Sequence, residues 1–515
     1  MFGKIHLLVL LMIVPVMSAW AQIRVEEATI SDVQAAYKSG ATTATRVVQG
    51  YMDRIQAYDQ AGPKLNVVIF LNPKALEEAA ALDEHLRKTG KFVGPLHGIP
   101  ILLKDNINTK DMPTTGGSLS LAGYRPATDA AIVQKLRAAG AIILAKVNLH
   151  EFAVWGETVS SIRGQTLNPY DLTRTPGGSS GGTGAGVAAN FAIAGIGTDT
   201  VNSIRSPASA NCLVGFRPTL GLVSRAGIIP YSVTQDAAGP LARNMTDAAK
   251  MLNVLVGYDP EDPATAWSVG HIDTDYTKYL NSEGVKGKRI GVLRSFFGKA
   301  PINDDVNALS NKAVEDLRRF GATVVDLDTP DLDSGQISSD VSVHLYELKP
   351  ELNRYLANGN APVKTLEEII ESGKFHPNIG ENIRKAQSLE LDDSYRLRLQ
   401  KRSELQQRVL KIMADNHLDA IVFPHQKRLV VPVGETQLER NGALGSVTGF
   451  PSIVVPAGFS PPTLTAAIGV PVGIEILGRP WSEDVLIEIA YGYEQATIHR
   501  RPPATTPPLP GLKRN

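Results

Sequence analysis

Apolar positions fall into two recurring patterns along this chain. Leu76, Ala79, Ala80 and Leu86 recur at helical spacing behind Asn72-Pro73. That predicts an N-cap with proline at the first helical position and a helix stopped at Gly90. Similar patterns predict helices from Ile30 to Gly40 with Ser31 as cap, over 43–58, over 130–139 before Gly140, and over 304–320. Short unbroken apolar runs at 99–103, 141–145, 290–293, 323–327, 421–423, 452–455 and 472–477 read as buried strands. Such alternation argues for an α/β sheet covered by helices. Residues 341–416 differ: they are polar and helical, with charge patterning over 396–408, and read as a helical insertion over one side of the sheet. No Gly/Ser or Pro linker interrupts 22–515, which therefore reads as one domain ending in a Pro-rich, basic tail at 500–515, a surface strap or disordered end.

Composition narrows the classes. The 515 residues are 43% hydrophobic and 20% charged, a globular balance that needs no disulfide or metal to form a core. Lys+Arg and Asp+Glu are both 52, so no basic excess exists to hold a nucleic acid. The single cysteine, Cys212, excludes an internal disulfide, cysteine-rich zinc sites and iron–sulfur clusters on this chain. Met1 to Gln22 combines Lys4, a mostly apolar run and Ala19-Trp20-Ala21, the pattern of a secretory leader cleaved after Ala21. The run is shorter than the roughly 20 apolar residues a membrane span requires. An exported protein, periplasmic or secreted, with no stable membrane span after cleavage, is expected.

The most unusual segment is Gly177-Gly178-Ser179-Ser180-Gly181-Gly182-Thr183-Gly184-Ala185-Gly186, six glycines in ten residues. Glycine at this density permits positive φ and close backbone approach to a ligand. The apolar stretch 187–194 reads as a following helix, whose N-terminus would favour negative charge. A phosphate-binding loop would need Lys-Ser or Lys-Thr after the glycines, and none follows. A nucleophile elbow would need Gly-x-Ser-x-Gly, which Gly178-Ser179-Ser180-Gly181-Gly182 resembles only loosely; His417 and His425 would be its candidate bases. Two further blocks bear on a third reading. Gly197-Thr198-Asp199-Thr200-Val201-Asn202-Ser203-Ile204-Arg205 sets Asp199 and Arg205 on either side of Ser203, able to tie the loop's ends together. Pro100-Ile101-Leu102-Leu103-Lys104-Asp105-Asn106 puts a lysine at the end of an apolar strand.

Taken in order and spacing, these three blocks resemble the amidase signature family. Asn148-Leu149-His150-Glu151-Phe152, Gly164-Gln165-Thr166-Leu167-Asn168-Pro169, Val214-Gly215-Phe216-Arg217-Pro218-Thr219, Val447-Thr448-Gly449-Phe450-Pro451 and Pro471-Val472-Gly473-Ile474-Glu475 extend the likeness over roughly 30–495. The resemblance implies a central mixed, twisted sheet with helices on both faces. It implies a Ser–cis-Ser–Lys triad with Ser203 as nucleophile, Ser179 as bridging serine behind a cis peptide bond, and Lys104 as base. It also implies an oxyanion hole from the amides of Thr200, Val201, Asn202 and Ser203, an acyl pocket near Ala153, Val154 and Trp155, and neither cofactor nor metal. The chemistry is consistent: serine needs a base within reach, and an ordinary lysine, with a pKa of about 10.4, serves only if burial lowers that value.

The activity implied is acyl transfer from a small-molecule amide substrate to water. A helix at 347–356 resembles hydrolytic members, including peptide amidases. The family also holds the transamidase subunit that makes glutaminyl-tRNA, a cytoplasmic role the leader argues against. One departure stands out. Val201-Asn202 replaces the usual Gly-Gly, and a β-branched residue tolerates positive φ poorly. Either φ stays negative there or the oxyanion loop is altered, and in the second case the fold would serve as a catalytically weak binding protein. A second departure is Asn211-Cys212 for Cys-Gly, with Cys212 read as buried structure. Oligomeric state is left open.

Overall fold

The computed structural model describes residues 24–509; the expected leader at 1–21 and the end of the tail at 510–515 lie outside them. Thirteen strands form among the described residues: β1 (Val68–Leu71), β2 (Pro100–Lys104), β3 (Ile142–Val147), β4 (Val159–Ser160), β5 (Gly164–Gln165), β6 (Ala194–Asp199), β7 (Val214–Arg217), β8 (Ala237–Ala242), β9 (Arg289–Leu293), β10 (Thr323–Leu327), β11 (Ala420–Pro424), β12 (Ser452–Phe459) and β13 (Pro471–Leu477). All but the β4–β5 ribbon join one eleven-stranded sheet in the order β1-β3-β2-β6-β8-β7-β12-β13-β11-β9-β10. The sheet is mixed. β3, β2 and β6 run parallel, as do β11, β9 and β10, while β6, β8, β7, β12 and β13 alternate.

Every residue of β2, β3, β6, β7, β8, β11 and β13 is buried. Strands buried at every position need both faces of the sheet covered. The helices Ala131–Ala138, Met245–Leu255, Asp304–Arg319 and Glu483–Thr497 join that cover, with Val133, Leu252, Leu317 and Leu486 in the core. The predicted strands form within a few residues of their expected bounds. The central strands β6 to β8 carry too few β-branched residues to have been read from the sequence.

Three expectations are corrected. The helix behind Asn72-Pro73 is Ala75–Thr89, with Lys74 rather than Asn72 at the N-cap position, because Asn72 Oδ1 accepts from the Lys74 amide at 2.9 Å and leaves Pro73 in the turn before the helix. The helix Ile30–Ser39 is capped by Thr29, not Ser31: Thr29 Oγ1 accepts from the Asp32 amide at 3.1 Å, and Asp32 returns the contact to the Thr29 amide at 3.0 Å. This reciprocal capping box leaves Ser31 inside the first turn. The helix expected at 187–194 is instead Gly181–Ala188, so the glycines are its body rather than a loop before it. Packing explains the shift. A Cβ on Gly182 would lie 2.2 Å from the Asn148 carbonyl oxygen, and one on Gly186 would lie 2.6 Å from a Leu102 methyl. Glycine lets this helix lie against the β2–β6 sheet, a tertiary gain that overrides its poor helix propensity. Within 177–186 positive φ is taken only at Gly177, at 70°.

Residues 341–416 contribute the helices His344–Asn358, Leu366–Ser372, Gly380–Ser388 and Asp393–Asp415. Leu348, Leu352 and Leu356 of the first pack in one apolar cluster with Phe152, Ala153, Val154 and Tyr231. The same helix buries Glu347, which accepts from Tyr395 Oη at 2.9 Å and the Thr234 amide at 3.1 Å and from the hydroxyls of Ser232 and Thr234. In the described part of the tail, Arg500 bonds Glu27 at 2.7 Å, and Thr506 O accepts from Arg54 at 2.8 Å.

Candidate active site

The carboxyl ends of the parallel strands β2 and β6 lie side by side, with Leu103 paired to Ile196. In open sheets that edge is where ligands bind. Lys104 is the last residue of β2 and is fully buried. Its Nζ donates to Ser179 Oγ at 2.7 Å, to Thr198 Oγ1 at 2.8 Å and to Thr198 O at 3.3 Å. Asn106 Nδ2 donates to the same Thr198 hydroxyl at 3.1 Å. Burial lowers the Lys104 pKa from 10.5 to about 7, against the attraction of Asp199 and Asp236. Near neutral pH this amine therefore exists in both protonation states.

The segment that delivers Ser179 is held on three sides. The Gly178–Ser179 peptide bond is cis. Ser179 O accepts from the His150 amide at 3.0 Å, and Thr158 Oγ1 donates to Gly177 O at 2.7 Å while accepting from the Gly181 amide at 3.1 Å. Ser203 is brought to the same place through the backbone: the Ser180 amide donates to Ser203 O at 3.2 Å. Among the described residues no hydrogen bond joins the Ser179 and Ser203 hydroxyls; Ser203 instead lines a cavity.

The loop after β6 answers the question raised by Val201-Asn202: neither residue takes a positive φ. Its carbonyls are tied back. Val201 O accepts from Arg205 Nη2 at 2.8 Å and from Ser446 Oγ at 3.0 Å, and Asn202 O accepts from the Ser206 amide at 2.7 Å. Among the described residues the amides of Thr200, Val201, Asn202 and Ser203 donate to no protein group. The Val201 side chain packs on the apolar cluster of Ala443, Leu444 and Val447. Gly442 makes the room: a Cβ there would lie 2.6 Å from Asn202 Cβ and 2.8 Å from Val201 O.

A buried ionic network ties the two ends of this loop. Asp199 accepts from Arg205 Nε and Nη2, each at 3.0 Å, and from the Ile204 amide at 3.0 Å. Arg217 adds a contact to Asp199 at 3.0 Å; Arg205 also meets Glu475, which meets His425 Nδ1 at 2.7 Å. The two guanidiniums hold the Asp199 carboxyl far below the usual range despite burial. His425, expected only as a remote candidate base, is buried in this network, and burial lowers its pKa. Cys212 is buried and free, with its thiol pushed up by burial.

Ser203 opens onto a cavity of about 440 Å³. Ala153, Val154 and Trp155, the expected pocket residues, all line it, together with Val201, Asn202, Tyr231 and Arg440. A neighbouring cavity of about 430 Å³ shares Ala153, Thr200 and Tyr231 with it and reaches Asn106 and Thr198, the groups around Lys104. Thr198 and Asn106 carried no role in the sequence reading, although both stand inside the motif blocks that placed Lys104 and Ser203. Asp236 was missed outright. It accepts from Thr200 Oγ1 at 2.6 Å and from the Tyr231 and Ser232 amides at 2.8 and 2.9 Å, which fixes the loop against the second cavity. Among the described residues no group of three or more His, Cys, Asp or Glu side chains is placed to hold a metal ion.

A model of the amidase family matches residues 46–487. Among solved structures, native peptide amidase from Stenotrophomonas maltophilia is 40% identical, with a TM-score of 0.84 over 93% of this chain and 99% of that one. A probable amidase of Arabidopsis thaliana is 36% identical over 504 residues, 93% of this chain and 92% of that protein. A glutamyl-tRNA(Gln) amidotransferase subunit from Chloroflexus aurantiacus is 35% identical over 490 residues, 91% of this chain and 96% of that protein.

Proposed function

The chain belongs to the amidase signature family of amide hydrolases, and on that premise we propose that it is an exported serine amidohydrolase working through an acyl-enzyme on Ser203. The observation that carries this reading is the contact of 2.7 Å between the buried amine of Lys104 and Ser179 Oγ, beside a cavity lined by Ser203. Neutral Lys104 takes the proton of Ser179, and Ser179 takes that of Ser203 as it attacks the amide carbonyl. The oxyanion forms against the undonated amides of the 200–203 loop, each such donor worth about 3 kcal/mol. The amine departs with the proton returned through Ser179, and water repeats the sequence on the acyl-enzyme. No step calls on a cofactor.

The substrate class proposed is a linear carboxylic amide: aliphatic, aryl or a C-terminal peptide amide. Similarity to the peptide amidase supports the last of these. Export is supported by the pattern of residues 1–22, and recovery of a mature N-terminus at Gln22 tests it. The hydrolase reading is tested by ammonia release from a panel of aliphatic, aryl and peptide primary amides, with wild type and Ser203→Ala side by side. Release by wild type alone is expected. A folded wild type that neither releases ammonia nor labels with a serine-directed fluorophosphonate would overturn the reading in favour of a non-catalytic binding protein.

A further inference from the structure

Arg440 is the one charged side chain of the Ser203 cavity whose surroundings leave it unpaired. Among the described residues it makes no side-chain hydrogen bond, and no carboxylate lies within 4.0 Å of it. The other charges lining the cavity are engaged. Lys427 lies 3.5 Å from Asp333, and Glu439 accepts from Asn303 at 3.3 Å. Glu157, the carboxylate whose field Arg440 feels most, accepts from the Gln437 amide at 2.8 Å and faces His150 at 3.5 Å.

The site is built to hold this guanidinium. Its Cζ sits 4.7 Å from the centre of the Trp155 ring. Stacking of that kind uses the π face and leaves the in-plane N–H groups free. Gly156, next to Trp155, clears the space: a Cβ there would stand 2.0 Å from Arg440 Nη1. Ala153, Val154 and Tyr231 line the same pocket, and its polar residues, among them Thr200, Asn202, Ser338, Ser339 and His344, form no hydrogen bond to the guanidinium. Five donors in a planar fork, in the cavity that Ser203 also lines, match a carboxylate through two parallel hydrogen bonds.

We propose that Arg440, stacked on Trp155, is a specificity-determining residue that receives a carboxylate on the acyl part of the substrate, so that the preferred amides are those of acids with a second, free carboxyl group. The proposal deepens the hydrolase reading and rests on Ser203 as the reacting centre. Charge favours the same occupant, because a bound carboxylate supplies the partner this half-buried cation lacks.

The test measures binding, so that it does not depend on turnover. Ser203→Ala protein is titrated by calorimetry with succinamic, glutaramic and adipamic acids, and with butyramide, valeramide and hexanamide as neutral counterparts. At least one acid is expected to bind at least thirtyfold tighter than its counterpart, the lower end of what a desolvated charge pair contributes. Arg440→Gln in the same background should collapse that ratio towards one, and Arg440→Lys should restore part of it. Thermal melts establish that each variant is folded. Equal binding of acids and neutral amides, or an acid preference that survives Arg440→Gln, overturns the proposal. Neither result touches the hydrolase reading, which stands or falls on ammonia release and labelling.

Discussion

Replacing Lys104 with methionine separates the chemical use of this lysine from its cost to the fold. Burial lowers its pKa from 10.5 to about 7, which makes the charged form roughly 5 kcal/mol less favourable in the fold than in the unfolded chain. Below pH 7 both states bind the proton, and the full penalty weighs on the fold. Between pH 7 and 10.5 the unfolded chain holds a proton that the folded one lacks, so stability rises with pH across that window. Above 10.5 the penalty is gone. Methionine keeps most of the volume and carries no charge, but leaves Ser179 Oγ without the amine. The difference in unfolding free energy between Lys104→Met and wild type should therefore fall by about 4 kcal/mol in the variant's disfavour from pH 7 to pH 10.5. Urea unfolding of both proteins at the two pH values measures it, and groups common to both proteins cancel. Wild-type kcat/KM should fall about tenfold per pH unit below 7 and level off above about 8, while the variant loses at least about a hundredfold at neutral pH. A stability difference that does not change with pH, or a wild-type profile flat from pH 5 to 8, would refute the claim that Lys104 is buried as a neutral base.

The glycine helix and the 200–203 loop give three further outcomes. Gly182→Ala sets a Cβ 2.2 Å from Asn148 O and 2.7 Å from Asn148 N, backbone on both counts, so a loss of about 3 kcal/mol and of most activity is expected. Gly186→Ala, which meets the movable end of Leu102, should cost less in the same melts. Val201→Gly should keep kcat within about tenfold, because the amide remains and the position takes no positive φ, while lost packing on the Ala443 cluster costs about 1 kcal/mol.

Where chemistry demands unusual residues, the sequence was readable. A lysine closing an apolar run and a segment with six glycines in ten residues stand out against any background, and family resemblance assigned their order. What they do locally was less legible. The glycines read as a ligand loop because propensity speaks against a helix there, whereas contact with Asn148 and Leu102, distant in sequence, decides the matter. The strands β6 to β8 escaped because Ala194-Gly195-Ile196-Gly197 and Ala237-Ala238-Gly239-Pro240 carry small residues, selected by close neighbours such as Thr183 and the Phe216 carbonyl. Arg440 left no signal at all. It stands in a polar stretch without period or motif, and only the fold sets it over Trp155 and Gly156.

The same dependence on distant partners governs the base. Burial holds Lys104 near neutrality at pH 7 against Asp199, whose attraction favours the ammonium form. The fold offsets that carboxylate with Arg205 and Arg217, both fully buried, while Glu475 balances the second of the two positive charges. Two carboxylates and two guanidiniums thus make the network close to neutral in sum, while the attraction of Asp199 and Asp236 still reaches Nζ against burial. Arg217→Gln removes one positive charge and leaves a side chain able to bond the Asp199 and Gln235 carbonyls that Arg217 now serves. Less cancellation of Asp199, and less repulsion from Arg217 itself, both raise the Lys104 pKa. The midpoint of the kcat/KM profile should move to higher pH by about one unit, in the range typical of a single nearby charge. The midpoint is independent of how much of the variant folds, so a loss of stability cannot imitate the shift. A midpoint that stays near 7, or moves to lower pH, would show that burial alone sets the lysine and that the network serves only to hold the loop.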